Sequence, residues 1–157
     1  MTIILSIDPS SNKATNSNTG IVLIDNGKLL NNWCLPYGIK GFRKWYEDEF
    51  NKIKCDKVIF EHFEARENSK SRDNSVLETI AEIQRLIPEA EPFRNGGYQT
   101  DVPNELLKAL GLWKFGKSHH ADVRAAARLC IFYAMRNDLE DFVNGVGELV
   151  NGSMEKY

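Results

Sequence analysis

The sequence predicts an α/β protein in which a mixed sheet, opened by three antiparallel strands, is flanked by helices. Three observations carry that expectation. Apolar runs of strand length open the chain on either side of an Asn-Gly hairpin signal at residues 26–27. Over residues 39–54 the apolar period then changes to that of a helix. A compact β-rich run, KVIFEHF at 57–63, follows that helix and can return parallel to the first strand through the crossover.

Taken in order, IILSI (3–7) is a short strand of the buried type, and GIVLI (20–24) is the second. Asn26-Gly27 turns the chain into a third strand at Lys28–Leu35. Ile39, Phe42, Trp45, Tyr46, Phe50 and Ile53 recur at helical spacing. After the strand 57–63, the stretch EARENSKSRDN (64–74) is charged and loop-like. The next helix carries Val76, Leu77, Ile80, Ile83 and Ile87 on one side and stops at Pro88, and 89–93 is a short fifth strand. Gly96-Gly97 marks a loop, Pro103 fits the first turn of a short helix through Leu110, and GLWKFGKSHH (111–120) is a glycine-bracketed connector. The last helix runs from about His120 to Arg136, with Val123, Ala126, Ala127, Cys130, Ile131 and Ala134 as its inward stripe. The tail after Asn151 is expected to fray.

The 157 residues fit one domain spanning 1–157, long enough to bury a real core. No apolar stretch approaches the ~20 residues that cross a bilayer, and no basic flank precedes an apolar block at the N-terminus, so neither a membrane span nor a signal peptide is expected. Cys34, Cys55 and Cys130 are odd in number and far apart, which suggests neither a disulfide framework nor a zinc knuckle. A reducing cytoplasm is the natural setting. A formal charge of −2 excludes a uniformly basic nucleic-acid coat but leaves room for a local basic groove beside an acidic cluster.

The acids occupy particular places on this layout. Asp8 ends the first strand and Glu61 lies near the end of KVIFE, a strand that can lie beside it. Asp122 opens the last helix, with His119 three residues earlier, on the same side of a helical turn. Each has an ordinary reading: Asp8-Pro9 is a turn starter, Glu61 a strand-end acid, Asp122 a complement to the helix dipole, and His119 a cap or a solvated side chain, with His120 its competitor. If the elements converge, however, the acids need a cation. Two carboxylates ~4 Å apart repel by about 4 kcal/mol at an effective dielectric of about 20. Hard oxygen ligands with one imidazole suit Mg²⁺ or Mn²⁺, and a pair of such ions can activate water against a phosphodiester.

ILSIDPSSNKATNSNTGIVLID, KVIFEHF and KSHHADVRAAARL together resemble the RuvC-like Holliday junction resolvases, especially those of phages of lactococcal type. The likeness spans most of residues 3–136 with the acids in chain order. It implies an RNase H-like fold with a five-stranded mixed sheet, and cleavage of four-way DNA junctions by a homodimer using two divalent ions per active site. The products would be 5′-phosphate and 3′-hydroxyl ends. By the same likeness Asp8, Glu61, His119 and Asp122 would be both the metal ligands and the catalytic residues. Two positions depart from the pattern of cellular relatives: Ser10 stands where they carry glycine, and Glu64 where they carry an aromatic that wedges into the junction, Phe63 being one place early.

Arg66, Lys70 and Arg72 in the charged loop, with Lys114, Lys117 and Arg124 around the connector, are candidate phosphate contacts, a solvated face being the plain alternative. Phe63, Trp113 and Phe115 are candidates for stacking on exposed bases, with core or dimer packing as the alternative. The apolar face of 76–87 is either core or, as the resemblance implies, dimer interface. Two other functions compete. One is a non-catalytic binder of branched DNA; the other is an actin- or sugar-kinase-like phosphotransfer domain, against which Ser10-Ser11-Asn12 and the chain length speak, since such domains need phosphate-loop glycines and a second lobe.

Overall fold

The structure is a computed structural model that describes residues 2–12, 17–64, 74–116 and 120–155, the side chains of residue 120 and of 153–155 excepted. Its elements are β1 (Ile3–Asp8), β2 (Thr19–Asp25), β3 (Lys28–Leu35), α1 (Gly38–Glu49), β4 (Lys57–Glu61), α2 (Val76–Leu86), β5 (Glu91–Phe93), α3 (Tyr98–Asp101), α4 (Asn104–Ala109), α5 (His120–Arg136) and α6 (Glu140–Glu155). The strands form one sheet in the order β3-β2-β1-β4-β5. β1, β2 and β3 pair antiparallel, whereas β4 pairs parallel to β1 and β5 parallel to β4. At the first hairpin both Asn26 (φ 48°) and Gly27 (φ 92°) take the left-handed conformation that a tight two-residue turn demands.

Side chains alternate across the sheet, and both faces are buried. Leu5, Ile7, Ile21, Leu23, Val58 and Phe60 point to one side and pack against Phe42 and Trp45 of α1 and Ile80 and Ile83 of α2. Ile4, Val22, Ile24 and Ile59 point to the other, under Val123, Ala126, Ala127, Cys130 and Ile131 of α5. The apolar face of α2 is therefore occupied by core. On its far side the buried Glu82 carboxylate joins α2 to α1, accepting from Arg43 Nε at 2.9 Å and from Arg85 Nε at 2.5 Å. Burial alone would raise its pKa; the two guanidinium groups outweigh that and hold it below the usual range. Among the described residues no helix is long and apolar enough to cross a membrane.

Alanines in α5 let the helix lie close on the sheet, and one hydrogen bond pins it: buried Ser6 Oγ of β1 donates to the Ala126 carbonyl at 2.7 Å. Ser6→Ala should lower stability by about 1 kcal/mol, read from the midpoint of urea unfolding, by deleting a buried bond without opening a large cavity. An unchanged midpoint would show that the clamp contributes nothing.

Several boundaries differ from expectation. α1 ends at Glu49 and continues only as a 3₁₀ turn, Phe50–Lys52. β4 stops at Glu61, although the His62 N–H still reaches the Phe93 carbonyl at 2.9 Å. A short helix, α3, follows directly on the Gly96-Gly97 loop, and Pro103 lies just outside α4 in extended conformation. The larger correction is α6, which follows the supposed last helix and runs through residues expected to fray. Gly145, Gly147 and Gly152 each argue against a helix by propensity. Packing explains one of them: a Cβ on Gly145 would sit 2.1 Å from the Asn26 carbonyl oxygen, so α6 lies directly on the β2–β3 turn.

Candidate functional site

Alternation and register bring the acids together. Ile4, Ser6 and Asp8 share the α5 side of β1, as Ile59 and Glu61 do on β4. Since Ile7 is in register with Phe60, the next residues, Asp8 and Glu61, end adjacent parallel strands side by side. Across the antiparallel half, Asp8 is paired with Gly20 and Gly20 with Cys34. The first turn of α5, which carries Asp122, comes down on that row. A Cβ built on Gly20 would lie 2.2 Å from the Asp122 carbonyl oxygen and 2.7 Å from the Val123 nitrogen. Only a residue without a side chain lets the helix backbone approach the sheet so closely.

The electrostatics record the convergence. Burial holds the Asp8 carboxyl well above the usual range, reinforced by a side-chain hydrogen bond with Glu61 and by the negative charges of Glu61 and Asp122. Two carboxyl groups in contact hold a proton between them when no cation is there. The field reaches further: burial, then the charge of Asp122, pushes the Cys34 thiol up to about 11. Burial, then Glu61 and Asp8, raises the Tyr98 hydroxyl. The other anchor of Glu61 is Asn95, whose side-chain amide donates to Oε1.

Asp8 and Glu61 thus form a contact pair with Asp122 at electrostatic range. Among the described residues no three His, Cys, Asp or Glu are placed to hold a metal ion as they stand. His119 lies outside the described residues, as does the side chain of His120. The donor set is nevertheless one of hard oxygens with excess negative charge, which suits Mg²⁺ or Mn²⁺.

Around this centre the loop after β1 is stitched in place. The Ser10 N–H donates to Thr19 Oγ1 at 3.1 Å and the two hydroxyls meet at 2.7 Å, so serine here ties β1 to β2. Ser11 Oγ lies 2.7 Å from Ser75 Oγ, and the Asn12 amide donates to Glu78 Oε2 at 2.9 Å. Glu64 pairs with Arg94 at 2.6 Å and His62 at 3.5 Å.

Of the candidate DNA contacts, Lys114 is exposed. Arg124 is half-buried, its Nε donating to the Trp113 carbonyl at 2.5 Å and its guanidinium 3.8 Å from the Trp113 ring centroid. Lys108 was not among the sequence candidates, yet its ammonium lies 4.8 Å from the same ring. With Gly111, Trp113 and Lys114 it lines a shallow depression of about 540 Å³. Its signal in the sequence is a lysine in α4, just upstream of the cationic connector. Phe115 is buried in the core under α5, which removes it as a stacking surface, and Phe63 is half-buried against the α1–α2 layer. Arg66, Lys70, Arg72 and Lys117 lie outside the described residues.

No family model matches the sequence, and no curated protein matches it significantly. Solved structures do match. T. thermophilus RuvC in complex with Holliday junction substrate superposes with a TM-score of 0.63 at 11% identity, over 89% of this chain and 98% of that one. A second Thermus thermophilus RuvC structure gives a TM-score of 0.61 at 13% identity, over 87% and 97% of the two chains. At such identities the likeness speaks for architecture alone: the chain has a RuvC-like, RNase H-like fold, with its paired acids at the ends of two central parallel strands.

Proposed function

We propose that this protein is a metal-dependent, structure-selective DNA endonuclease that resolves four-way junctions and acts on other branched DNA. The observation that carries the proposal is the contact between Asp8 and Glu61 at the ends of parallel β1 and β4, beneath the N-terminus of α5, in a fold shared with RuvC. Bound at such a cluster, a pair of Mg²⁺ or Mn²⁺ ions supplies an activated water and charge stabilisation for phosphodiester hydrolysis. Asp8, between Glu61 and Asp122, would ligate from the centre of the site, with Glu61 and Asp122 on either side and His119 completing the set. Burial of Asp8 and its acidic neighbours make the ionised cluster unfavourable without a counter-charge, and a divalent ion would supply it in place of a proton.

Lys114 and Arg124, with Lys108, form a cationic and aromatic surface on the elements leading into α5, suited to a phosphate backbone. Arg66, Lys70, Arg72 and Lys117 extend the same role by sequence, and Phe63 flanks the strand-end acid. Two copies acting as a homodimer would nick opposite strands symmetrically, leaving 5′-phosphate and 3′-hydroxyl ends.

The test is cleavage of an end-labelled synthetic four-way junction, run beside a replication fork and a linear duplex, with Mg²⁺, with Mn²⁺ and with chelator. Paired nicks in the junction that ligase reseals, absent with chelator and absent from linear duplex, are expected. Junction binding without cleavage at any ion concentration would overturn the nuclease reading in favour of a non-catalytic binder.

A further inference from the structure

We infer that Asn95 is the positioning residue for Glu61, held in turn by Tyr98, and that this pair sets how tightly the acid cluster takes a divalent ion. The inference deepens the nuclease reading and rests on it.

Glu61 is the longest of the three clustered acids and would otherwise be free to turn away from Asp8. Its Oε1 accepts from the Asn95 amide, which arrives from a separate element two residues beyond β5. With that oxygen fixed, the carboxylate is oriented toward Asp8, where the two groups meet. The chemistry of the donor matters as much as its position. A lysine or arginine in this place would also hold Glu61, but its charge would compete with the ion as counter-charge. An amide orients the carboxylate and leaves its charge for the metal, the usual role of a neutral hydrogen-bond partner behind a ligand.

Asn95 is itself held. Its side chain is hydrogen-bonded to the Tyr98 hydroxyl. The Tyr98 ring packs edge-on to Phe132 of α5 at 6.4 Å, and the Arg128 guanidinium lies 5.7 Å from it. Arg128 is buried in α5 and donates to the Val102 carbonyl and, at 2.6 Å, to Asn104 Oδ1. A continuous ladder therefore runs from Asp8 and Glu61 through Asn95, Tyr98 and Arg128 into the helix that carries Asp122. It links the strand acids to the helix acid by a route other than the sheet.

The experiment measures Mn²⁺ binding to the DNA-free protein by calorimetry, together with the Mg²⁺ concentration for half-maximal junction nicking. Asn95→Leu keeps the side-chain volume and removes the donor. It is expected to weaken Mn²⁺ binding and raise the half-maximal Mg²⁺ concentration roughly tenfold to a hundredfold, with junction affinity in chelator unchanged. Tyr98→Phe keeps the ring packing and loses only the hydroxyl. It should shift both readouts in the same direction by less, which keeps the inference testable if Asn95→Leu fails to fold. Wild-type Mn²⁺ affinity in both folded variants would overturn the role of Asn95 while leaving the nuclease reading intact. A wild-type protein that neither binds Mn²⁺ nor cuts the junction would remove both.

Discussion

Asp8→Asn should bind a four-way junction as tightly as the wild type, fail to cut it, and melt at a higher temperature when divalent ions are absent. Loss of cutting follows from the central place of Asp8, in contact with Glu61 and within reach of the charge of Asp122. Retained binding follows because the candidate phosphate contacts lie elsewhere, around Trp113. The thermal gain follows from linkage. The folded pKa of Asp8 is raised, so the folded state binds more protons than the unfolded state, and stability falls as pH rises from the unfolded value through the folded one. At neutral pH, above the unfolded value, the protein without metal bears that cost. Asparagine has the same shape and no charge, and each ~1 kcal/mol relieved raises the melting temperature by roughly 2–4 °C in a domain of this size. The difference should shrink toward acid pH, where Asp8 is protonated in both states, and should narrow or reverse with Mg²⁺ or Mn²⁺, which favours the form that binds it. Thermal melts from pH 4 to pH 8, with and without ions, provide the check. Cutting by purified Asp8→Asn at ordinary Mg²⁺ would refute the site assignment, and a lower ion-free melting temperature at neutral pH would refute the electrostatic account.

The second large effect is expected at a residue with no side chain. Gly20→Ala places a methyl 2.2 Å from the Asp122 carbonyl oxygen and 2.7 Å from the Val123 nitrogen, both backbone atoms that cannot swing aside. The start of α5 must lift from the sheet. Overpacking of this kind typically costs about 1–3 kcal/mol, and the displacement falls on the turn that carries Asp122. Misplacing a reacting group by about 1 Å can cost on the order of a hundredfold in rate. Gly20→Ala is therefore expected to lose stability modestly and junction cleavage severely, with junction binding less affected. A variant that melts lower but cuts at the wild-type rate would show that the exact height of α5 above β2 is unimportant.

What the sequence made legible was whatever periodicity or strand alternation controls. Asp8 and Glu61 end apolar strands whose inward residues alternate, and the crossover helix between them requires a parallel return, so their meeting could be anticipated from the order of elements. Asp122 was readable from its place at the start of α5. What was not readable depends on contacts between distant segments. Gly20 inside a strand signals close approach but does not say by what. The glycines of α6 speak against a helix until Gly145 is seen against the Asn26 carbonyl. Asn95 follows the shortest strand and precedes a Gly-Gly pair, in a stretch without period, so nothing local marks it as a partner of Glu61. Phe115 lies in a glycine-bracketed connector that reads as exposed, yet with Leu112 it closes the core under α5.

The seating of α6 on the first hairpin has a consequence in time. Gly145 meets Asn26 and Val146 meets Gly27, while Ser6 is fastened to Ala126, so the first hairpin and β1 are completed by residues made long after them. Emerging at about 5–20 residues per second, a nascent chain has β1 and its acid exposed for several seconds before the helix that covers them exists. Assembly is thereby gated by translation itself: a product cut short before residue 120 lacks Asp122 and the helix over the sheet, so the three acids are never brought together.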